Sequence, residues 1–198
     1  MKPPLVFSGQ RIGLLGGSFD PPHQGHVHIS REALKRLQLD QLWWLVSPGN
    51  PLKEQGPWPL ERRLAQCQKR VDHPRIKITA FESALGSPYT AVTLRYLSRR
   101  FPAVHFVWLM GADNMASVHL WHNWREIFGQ VPVAIIDRPG EHYALGSSLA
   151  AQLFARKRIR EQAALLLAQR PAPAWCRLGI PLNFESSTGI RDRHRIES

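Results

Sequence analysis

Two histidines near the start of the chain are placed to act on phosphate groups. His23 and His26 lie three residues apart, after a loop that opens with Gly16 and Gly17. Paired glycines let the main chain approach a phosphate, and a helix that follows offers N–H groups that no earlier turn uses. Imidazoles at a helix start can donate hydrogen bonds to phosphate oxygens that gain charge in a transition state. The alternative is an ordinary turn followed by a capped helix. Two histidines alone do not complete a zinc shell, so no metal ligand is predicted.

A second group of phosphate-binding residue types lies near the end of the sequence. Ser186, Ser187 and Thr188 open a predicted helix, and Arg191 follows about one turn later. Ordinary N-capping needs only one of these hydroxyls. Three hydroxyls, helix amides and one guanidinium together suit a polyphosphate tail.

Short apolar runs alternate with segments of helical periodicity along the chain. The predicted strands are residues 11–16, 41–46, 76–79, 104–110, 131–136 and 174–178. The predicted helices are residues 26–37, one ending near 71, 90–100, a short one from 112, 124–128, 147–169 with a break near 158, and a last one at 186–191. This alternation predicts an α/β fold: a doubly wound, mainly parallel sheet with helices on both faces. Ligands of such sheets bind outside the carboxyl ends of the strands, in the loops after them.

Length and composition limit the classes of protein to be considered. A chain of 198 residues with 43% hydrophobic content predicts one domain, over 1–198 with a core of about 11–193. The formal net charge of +11 favours an anionic partner. Two distant cysteines are compatible with a reducing cytoplasm, which is the predicted location. No apolar run approaches the roughly 20 residues that span a bilayer, so no membrane partner is expected.

The two phosphate-binding stretches also carry a family resemblance. GGSFDPPHQGH at 16–26 and SSTGIR at 186–191 resemble the two end motifs of the HxGH nucleotidyltransferase superfamily. Five segments between them are similar to those of bacterial nicotinate-nucleotide adenylyltransferases: NPLK at 50–53, SPYT at 87–90, GAD at 111–113, LW at 120–121 and RPG at 138–140. The resemblance covers about residues 11–193.

This resemblance implies a reaction and a set of site residues. The implied reaction transfers the adenylyl group of ATP to nicotinate mononucleotide in NAD biosynthesis, with Mg²⁺ held mainly through the ATP phosphates. His23 and His26 are the implied catalytic residues. The implied ATP-binding residues are Gly16, Gly17, Ser18, Phe19, Gly111, Asp113, Ser186, Ser187, Thr188 and Arg191. The implied mononucleotide-binding residues are Lys53, Thr90, Trp121 and Arg138. Thr90 is also predicted to be the N-cap of its helix, which places free N–H groups beside a nicotinate carboxylate.

Two other functions are compatible with parts of the sequence. The first is adenylyl or cytidylyl transfer to another phosphate acceptor, as in pantetheine-phosphate adenylyltransferase. The second is a non-catalytic nucleic-acid-binding module, suggested by the positive charge and seven tryptophans. Such a module predicts basic residues clustered with exposed aromatic side chains. Here the densest basic run is 156–160 and most aromatic residues lie in predicted strands, so no nucleic-acid partner is expected.

Overall fold

A six-stranded parallel sheet forms the centre of the fold. The computed structural model of the chain describes residues 2–49, 57–137 and 148–180. The strands are β1 (Arg11–Gly17), β2 (Gln41–Val46), β3 (Ile76–Thr79), β4 (His105–Gly111), β5 (Val133–Ile136) and β6 (Trp175–Leu178). Their order across the sheet is β3-β2-β1-β4-β5-β6, and every neighbouring pair is parallel. The predicted α/β class and parallel sheet are therefore confirmed. The extent of a single domain over 1–198 stays a prediction.

Helices connect the strands on both faces of this sheet. They are α1 (Gln24–Arg36), α2 (Leu60–Arg70), α3 (Thr90–Arg100), α4 (Ala112–Ser117), α5 (Trp124–Gln130) and α6 (Leu149–Leu153). Short 3₁₀ helices occupy Phe81–Leu85, Val118–Leu120, Ala155–Lys157 and Glu161–Gln169. Buried side chains of α1 and α2 pack on one face of the sheet, and those of α3, α4 and α5 pack on the other.

The core consists of these two apolar layers on either side of the strands. Successive strand residues point to opposite faces, so the adjacent Trp43 and Trp44 of β2 enter different layers. Both indoles are fully buried. Both faces of this strand are therefore covered, as expected for a parallel sheet with the predicted helices on both faces.

Besides the start of α1, which comes two residues earlier than predicted, two predictions about helices differ from the structure. Within 148–169 the chain forms one short α-helix and two 3₁₀ helices rather than a long helix: α6 ends at Leu153, and Ala155–Lys157 and Glu161–Gln169 are 3₁₀, with the interruption near Arg158 where a break is predicted. Between the 3₁₀ segments the chain is extended, because Arg158 bridges to Trp175 and the N–H of Ile159 donates to the Trp175 carbonyl at 2.8 Å. Edge pairing with β6 therefore replaces a helical turn. The predicted last helix, at 186–191, lies outside the described residues.

The N-terminus of α3 is the second difference. Its N-cap is Tyr89, with extended backbone, and Thr90 is already the first helical residue. The N–H groups of Val92 and Thr93 both donate to the Tyr89 carbonyl, so the N-cap is one residue before Thr90, although the helix has the predicted bounds. The prediction that Thr90 caps this helix is therefore wrong.

Candidate active site

The predicted phosphate loop lies where the direction of sheet winding reverses. From β1 the chain winds outward through β2 and β3, and then returns to place β4 on the other side of β1. Leu15 of β1 pairs with Leu109 of β4, so Gly17 and Gly111, each two residues further on, end their strands at the same edge. A switch point of this kind is where open parallel sheets bind their ligands.

Helix α1 brings the two histidines together beside this edge. His23 is the N-cap of α1, and His26 occupies the third helical position. Their ring centroids are 3.9 Å apart, and the His23 N–H donates to Nδ1 of His26 at 3.2 Å. An Nδ1 atom that accepts a hydrogen bond carries no proton, so a neutral His26 ring holds its proton at Nε2. The predicted pairing of the imidazoles at a helix start is thus observed in the geometry.

Aromatic side chains of the core pack against His26 and fix the orientation of its ring. Its ring centroid lies 4.8 Å from that of Phe19 and 5.7 Å from that of Trp44. The Ser30 hydroxyl donates to the His26 carbonyl at 2.7 Å and accepts from the Trp44 indole N–H at 2.7 Å. Phe19 and Trp44 therefore hold the ring of this histidine in place, and Ser30 holds its main chain.

Phe19 supports the loop from the core side. Its ring is 1% exposed and stacks on Trp44 with centroids 4.7 Å apart, although its φ of +48° is unusual for a residue with a side chain. Burial of a large aromatic ring offsets the cost of that backbone conformation.

The two glycines after β1 have different surroundings. A Cβ atom on Gly16 would lie 2.5 Å from Cη2 of Trp108, which is closer than any packed Cβ contact. A Cβ atom on Gly17 would lie 3.4 Å from the Phe19 ring, which is ordinary contact. Packing of β4 against β1 therefore already requires glycine at position 16, whether or not phosphate binds there.

Asp113 lies in the first turn of α4, directly after β4. The N-cap of this helix is Gly111, so Asp113 is the second helical residue and not the N-cap. Its side chain is half-buried at the same sheet edge as Gly17. A carboxylate in a first helical turn interacts favourably with the helix dipole and can accept from a hydroxyl group.

The segments that carry two of the predicted mononucleotide-binding residues, Thr90 and Trp121, contact each other through neighbouring rings. The ring of Tyr89, next to Thr90, stacks on the ring of His122, next to Trp121, with centroids 4.3 Å apart. Thr90 is half-buried, and Trp121 is partly buried against the apolar layer beneath. The sequence analysis did not identify the stack of Tyr89 on His122. The one sequence signal for this stack is that both residues have aromatic rings and each adjoins a predicted site residue.

Several predicted site residues cannot be compared with this geometry. Lys53, Arg138, Ser186, Ser187, Thr188 and Arg191 lie outside the described residues. Their assignments stay predictions.

A buried arginine that the sequence did not single out underlies the loops at this edge. Arg63 of α2 is 1% exposed. Its guanidinium donates to the carbonyls of Trp58 at 2.7 Å, Ser18 at 2.7 Å, Ser47 at 2.8 Å and Pro48 at 3.4 Å. Burial lowers the pKa of Arg63 below its usual value, although the charge of Asp20 acts in the opposite direction.

No group of three or more potential metal ligands occurs among the residues that the structure describes. Within the same residues, no helix has the length and apolar character needed to cross a membrane.

Comparison with known proteins agrees with this geometry. The family model of cytidylyltransferase-like proteins matches residues 14–193. A Roseobacter denitrificans protein named "Probable nicotinate-nucleotide adenylyltransferase" is 53% identical over 190 residues, which is 96% of each chain. A Methylorubrum extorquens protein of the same name is 54% identical over 184 residues, covering 92% of this chain and 100% of its own.

The fold is also similar to that of a solved structure. Nicotinic acid mononucleotide adenylyltransferase from Plasmodium falciparum, complexed with NaAD, superposes with a TM-score of 0.69 at 16% identity, covering 92% of this chain and 83% of its own. At that identity the likeness concerns the fold alone. From the family match and the bacterial relatives together, the chain belongs to the cytidylyltransferase-like family and, within it, to the nicotinate-nucleotide adenylyltransferases.

Proposed function

We propose that this chain transfers the adenylyl group of ATP to nicotinate mononucleotide and releases pyrophosphate. The observation that carries the proposal is the paired His23 and His26 at the start of α1, beside the switch point of the sheet. The names of the bacterial relatives and the NaAD complex of the Plasmodium falciparum enzyme support the choice of nucleotide. ATP and nicotinate mononucleotide are then the partners of this site.

The reaction needs positioning and charge stabilisation rather than a covalent intermediate. A phosphate oxygen of the mononucleotide attacks the α-phosphorus of ATP. The bond between that phosphorus and the oxygen that bridges the α- and β-phosphates breaks. Both electrons of that bond leave with pyrophosphate, so deamido-NAD is formed without any enzyme nucleophile. The N–H donors of His23 and His26 stabilise the charge that develops on the α-phosphoryl oxygens.

Residues at the switch point hold the remainder of ATP in this proposal. The main chain at Gly17–Phe19 lies against the phosphates, and Asp113 accepts from a ribose hydroxyl. Ser186, Ser187, Thr188 and Arg191 hold the β- and γ-phosphates. Lys53 and Arg138 bind the mononucleotide phosphate. These last six assignments rest on the sequence.

Adenylyl transfer from ATP generally uses a divalent metal, and we assign Mg²⁺ to this role. Mg²⁺ prefers oxygen ligands and usually keeps several waters, so phosphate oxygens can supply most of its coordination. The described residues at this edge offer imidazoles and isolated carboxylates rather than a cluster of three ligands, which suits a metal held by the substrate. When bound, the ion neutralises part of the phosphate charge.

The start of α3 suits a nicotinate carboxylate better than a nicotinamide amide. The N–H groups of Thr90 and Ala91 belong to the first helical turn, where no earlier turn supplies an acceptor. An acid offers only acceptors to these donors, whereas an amide would place its own N–H groups against them. One unsatisfied donor pair costs about 1–3 kcal/mol. Several such contacts give nicotinate mononucleotide a preference of about a hundredfold or more in kcat/KM. Trp121 stacks on the pyridine ring.

An assay of pyrophosphate release from ATP across a panel of phosphate acceptors tests the proposal. The panel contains nicotinate mononucleotide, nicotinamide mononucleotide, phosphopantetheine and glycerol phosphate. We expect turnover with the first at a kcat/KM at least about a hundredfold above the second. Equal use of both pyridine nucleotides would contradict the nicotinate assignment but retain adenylyl transfer. Turnover only with phosphopantetheine or with glycerol phosphate would move the chain to the other branch of the superfamily.

A further inference from the structure

We propose that Arg63 is a positioning residue, which joins the loops after β1 and β2 so that ATP and the mononucleotide are held at a fixed separation. The proposal rests on the adenylyl-transfer function above. Arg63 does not belong to the phosphate-binding stretches, and it donates to main-chain carbonyls of the two loops.

The guanidinium joins segments that are distant in sequence. Nη1 donates to the carbonyls of both Ser18, 45 residues away, and Ser47, 16 residues away. Ser18 follows Gly17, the last residue of β1, and Ser47 follows the last residue of β2. The N–H of Ser47 donates to the Gly17 carbonyl at 3.0 Å, so the two loops are joined by a direct hydrogen bond as well as by Arg63.

The same side chain holds both ends of the loop after β2. Nη2 donates to the carbonyl of Pro48, near the beginning of that loop, and Nε donates to the carbonyl of Trp58, near its end. A planar guanidinium with five N–H donors can satisfy four carbonyls from different directions. A lysine has one ammonium point with three donors, and an apolar residue has none. The arrangement therefore specifically requires arginine.

Burial of this cation is costly, which indicates what it contributes. An ionised group nearly excluded from water is tolerated only when hydrogen bonds and nearby opposite charge compensate it. Arg63 is 1% exposed, and its bonds pull the Ser18 and Ser47 carbonyls toward α2. The oxygens of these two carbonyls carry partial negative charge, and their hydrogen bonds to the guanidinium offset that charge next to an anionic substrate. The positive charge itself lies beneath a site proposed to receive two phosphorylated molecules.

Arg63→Lys and Arg63→Met are the test variants, and Arg70→Lys and Arg70→Met are matched controls on the exposed end of the same helix. Loosening of loops that contact both bound substrates weakens their binding in the ground state and the transition state alike, and such a loss raises KM while leaving kcat nearly unchanged. We expect Arg63→Lys to raise the KM values of ATP and nicotinate mononucleotide together, each by about tenfold, and Arg63→Met by more. The Arg70 variants keep both values.

A purely structural role for Arg63 gives a different kinetic result. Loss of stability alone lowers the fraction of folded enzyme, so apparent kcat falls while both KM values stay unchanged. That pattern, with or without a lower melting temperature, would overturn the proposal. A joint rise of both KM values in folded Arg63→Lys supports it.

Amide hydrogen exchange at Ser47 gives a readout that does not depend on activity. This N–H bonds to Gly17, so loosening of the two loops in Arg63→Lys is expected to speed its exchange by about tenfold or more, relative to Arg70→Lys. Unchanged exchange would overturn the proposal. If the wild-type protein released no pyrophosphate from ATP and nicotinate mononucleotide, the proposed function would fail, and exchange alone would then decide whether Arg63 joins the loops.

Discussion

Replacing His26 by glutamine separates its chemical role from its structural role. In the structure Nδ1 of His26 accepts from the His23 N–H at 3.2 Å, as the third helical residue does in a capping box. Glutamine is a natural residue at that position, because its side-chain oxygen can accept the same hydrogen bond. It does not supply the imidazole N–H at the place where Nε2 now lies.

The expected effect on the reaction is large. Loss of one preorganised donor to a developing charge typically costs about 10²–10³ in kcat, or about 2.7–4 kcal/mol of activation free energy. The KM for ATP is expected to change little, since an interaction made mainly in the transition state acts on kcat. The expected effect on stability is small, within about 1 kcal/mol, because the capping hydrogen bond is kept and ring packing on His23, Phe19 and Trp44 is reduced rather than abolished.

Steady-state kinetics with both substrates saturating, and thermal unfolding followed by circular dichroism, measure these two effects. His105→Gln is the matched control, because His105 is exposed at the opposite end of β4 from the site. A folded His26→Gln enzyme with kcat within about threefold of the wild-type value would refute the role assigned to this imidazole.

Three further predictions concern stability and reactivity. Gly16→Ala is expected to lower the free energy of unfolding by about 1–3 kcal/mol, because its Cβ would meet Trp108 at 2.5 Å. Gly129→Ala is expected to raise the free energy of unfolding by about 0.5–1 kcal/mol, because its Cβ would enter open space in α5. Chemical denaturation measures both values, and equal effects of the two substitutions would contradict the packing argument. Burial raises the pKa of Glu82 above its usual 4.5, so the folded protein loses stability as pH rises above 4.5 and this carboxyl must ionise. Glu82→Gln is therefore expected to be more stable than wild type at neutral pH but not near pH 3. A difference in unfolding free energy that does not depend on pH would contradict this. Burial raises the pKa of Cys67 and of Cys176 to about 12, so neither thiol is expected to react with iodoacetamide at pH 8 until the protein unfolds, and mass spectrometry of the native protein would reveal any early labelling.

The strands and the phosphate loop were predictable from the sequence because their signals are local. The run QLWWLV is apolar and ends in a turn, and it forms β2 with the predicted bounds, Gln41–Val46. The spacing of His23 and His26 after β1 predicted that the two rings lie together at a helix start, although the helix begins two residues earlier than predicted. Such features depend on residues that are close together in the chain.

Features that depend on distant contacts were not predictable in the same way. The 3₁₀ segment Glu161–Gln169 looked helical by composition, but the chain before it is drawn out to pair with Trp175. The N-cap at Tyr89 has no capping side chain, so the usual preference for threonine pointed one residue too late.

Arg63 shows most clearly where local signals end. In the sequence it is one of several basic residues on an amphipathic helix, where a basic residue normally faces solvent. Its only local signal is its position four residues before the buried Cys67, which places both on the inner face of α2. The carbonyls that it binds follow β1 and β2, and no pattern within one helix indicates them.

Gly16 and Gly17 show why a motif and its mechanism must be separated. Both glycines match the pattern of a phosphate-binding loop, and sequence alone gives them the same role. The structure gives Gly16 a sufficient reason in the Trp108 ring, which fills the space of its missing side chain. Gly17 has only ordinary contact at the corresponding place, yet its carbonyl accepts from Ser47, and the next residue is bonded to Arg63. Gly17, the glycine nearer the strand end, is therefore the one whose main chain we propose to contact the substrate phosphates, while Gly16 leaves room for the Trp108 ring of β4.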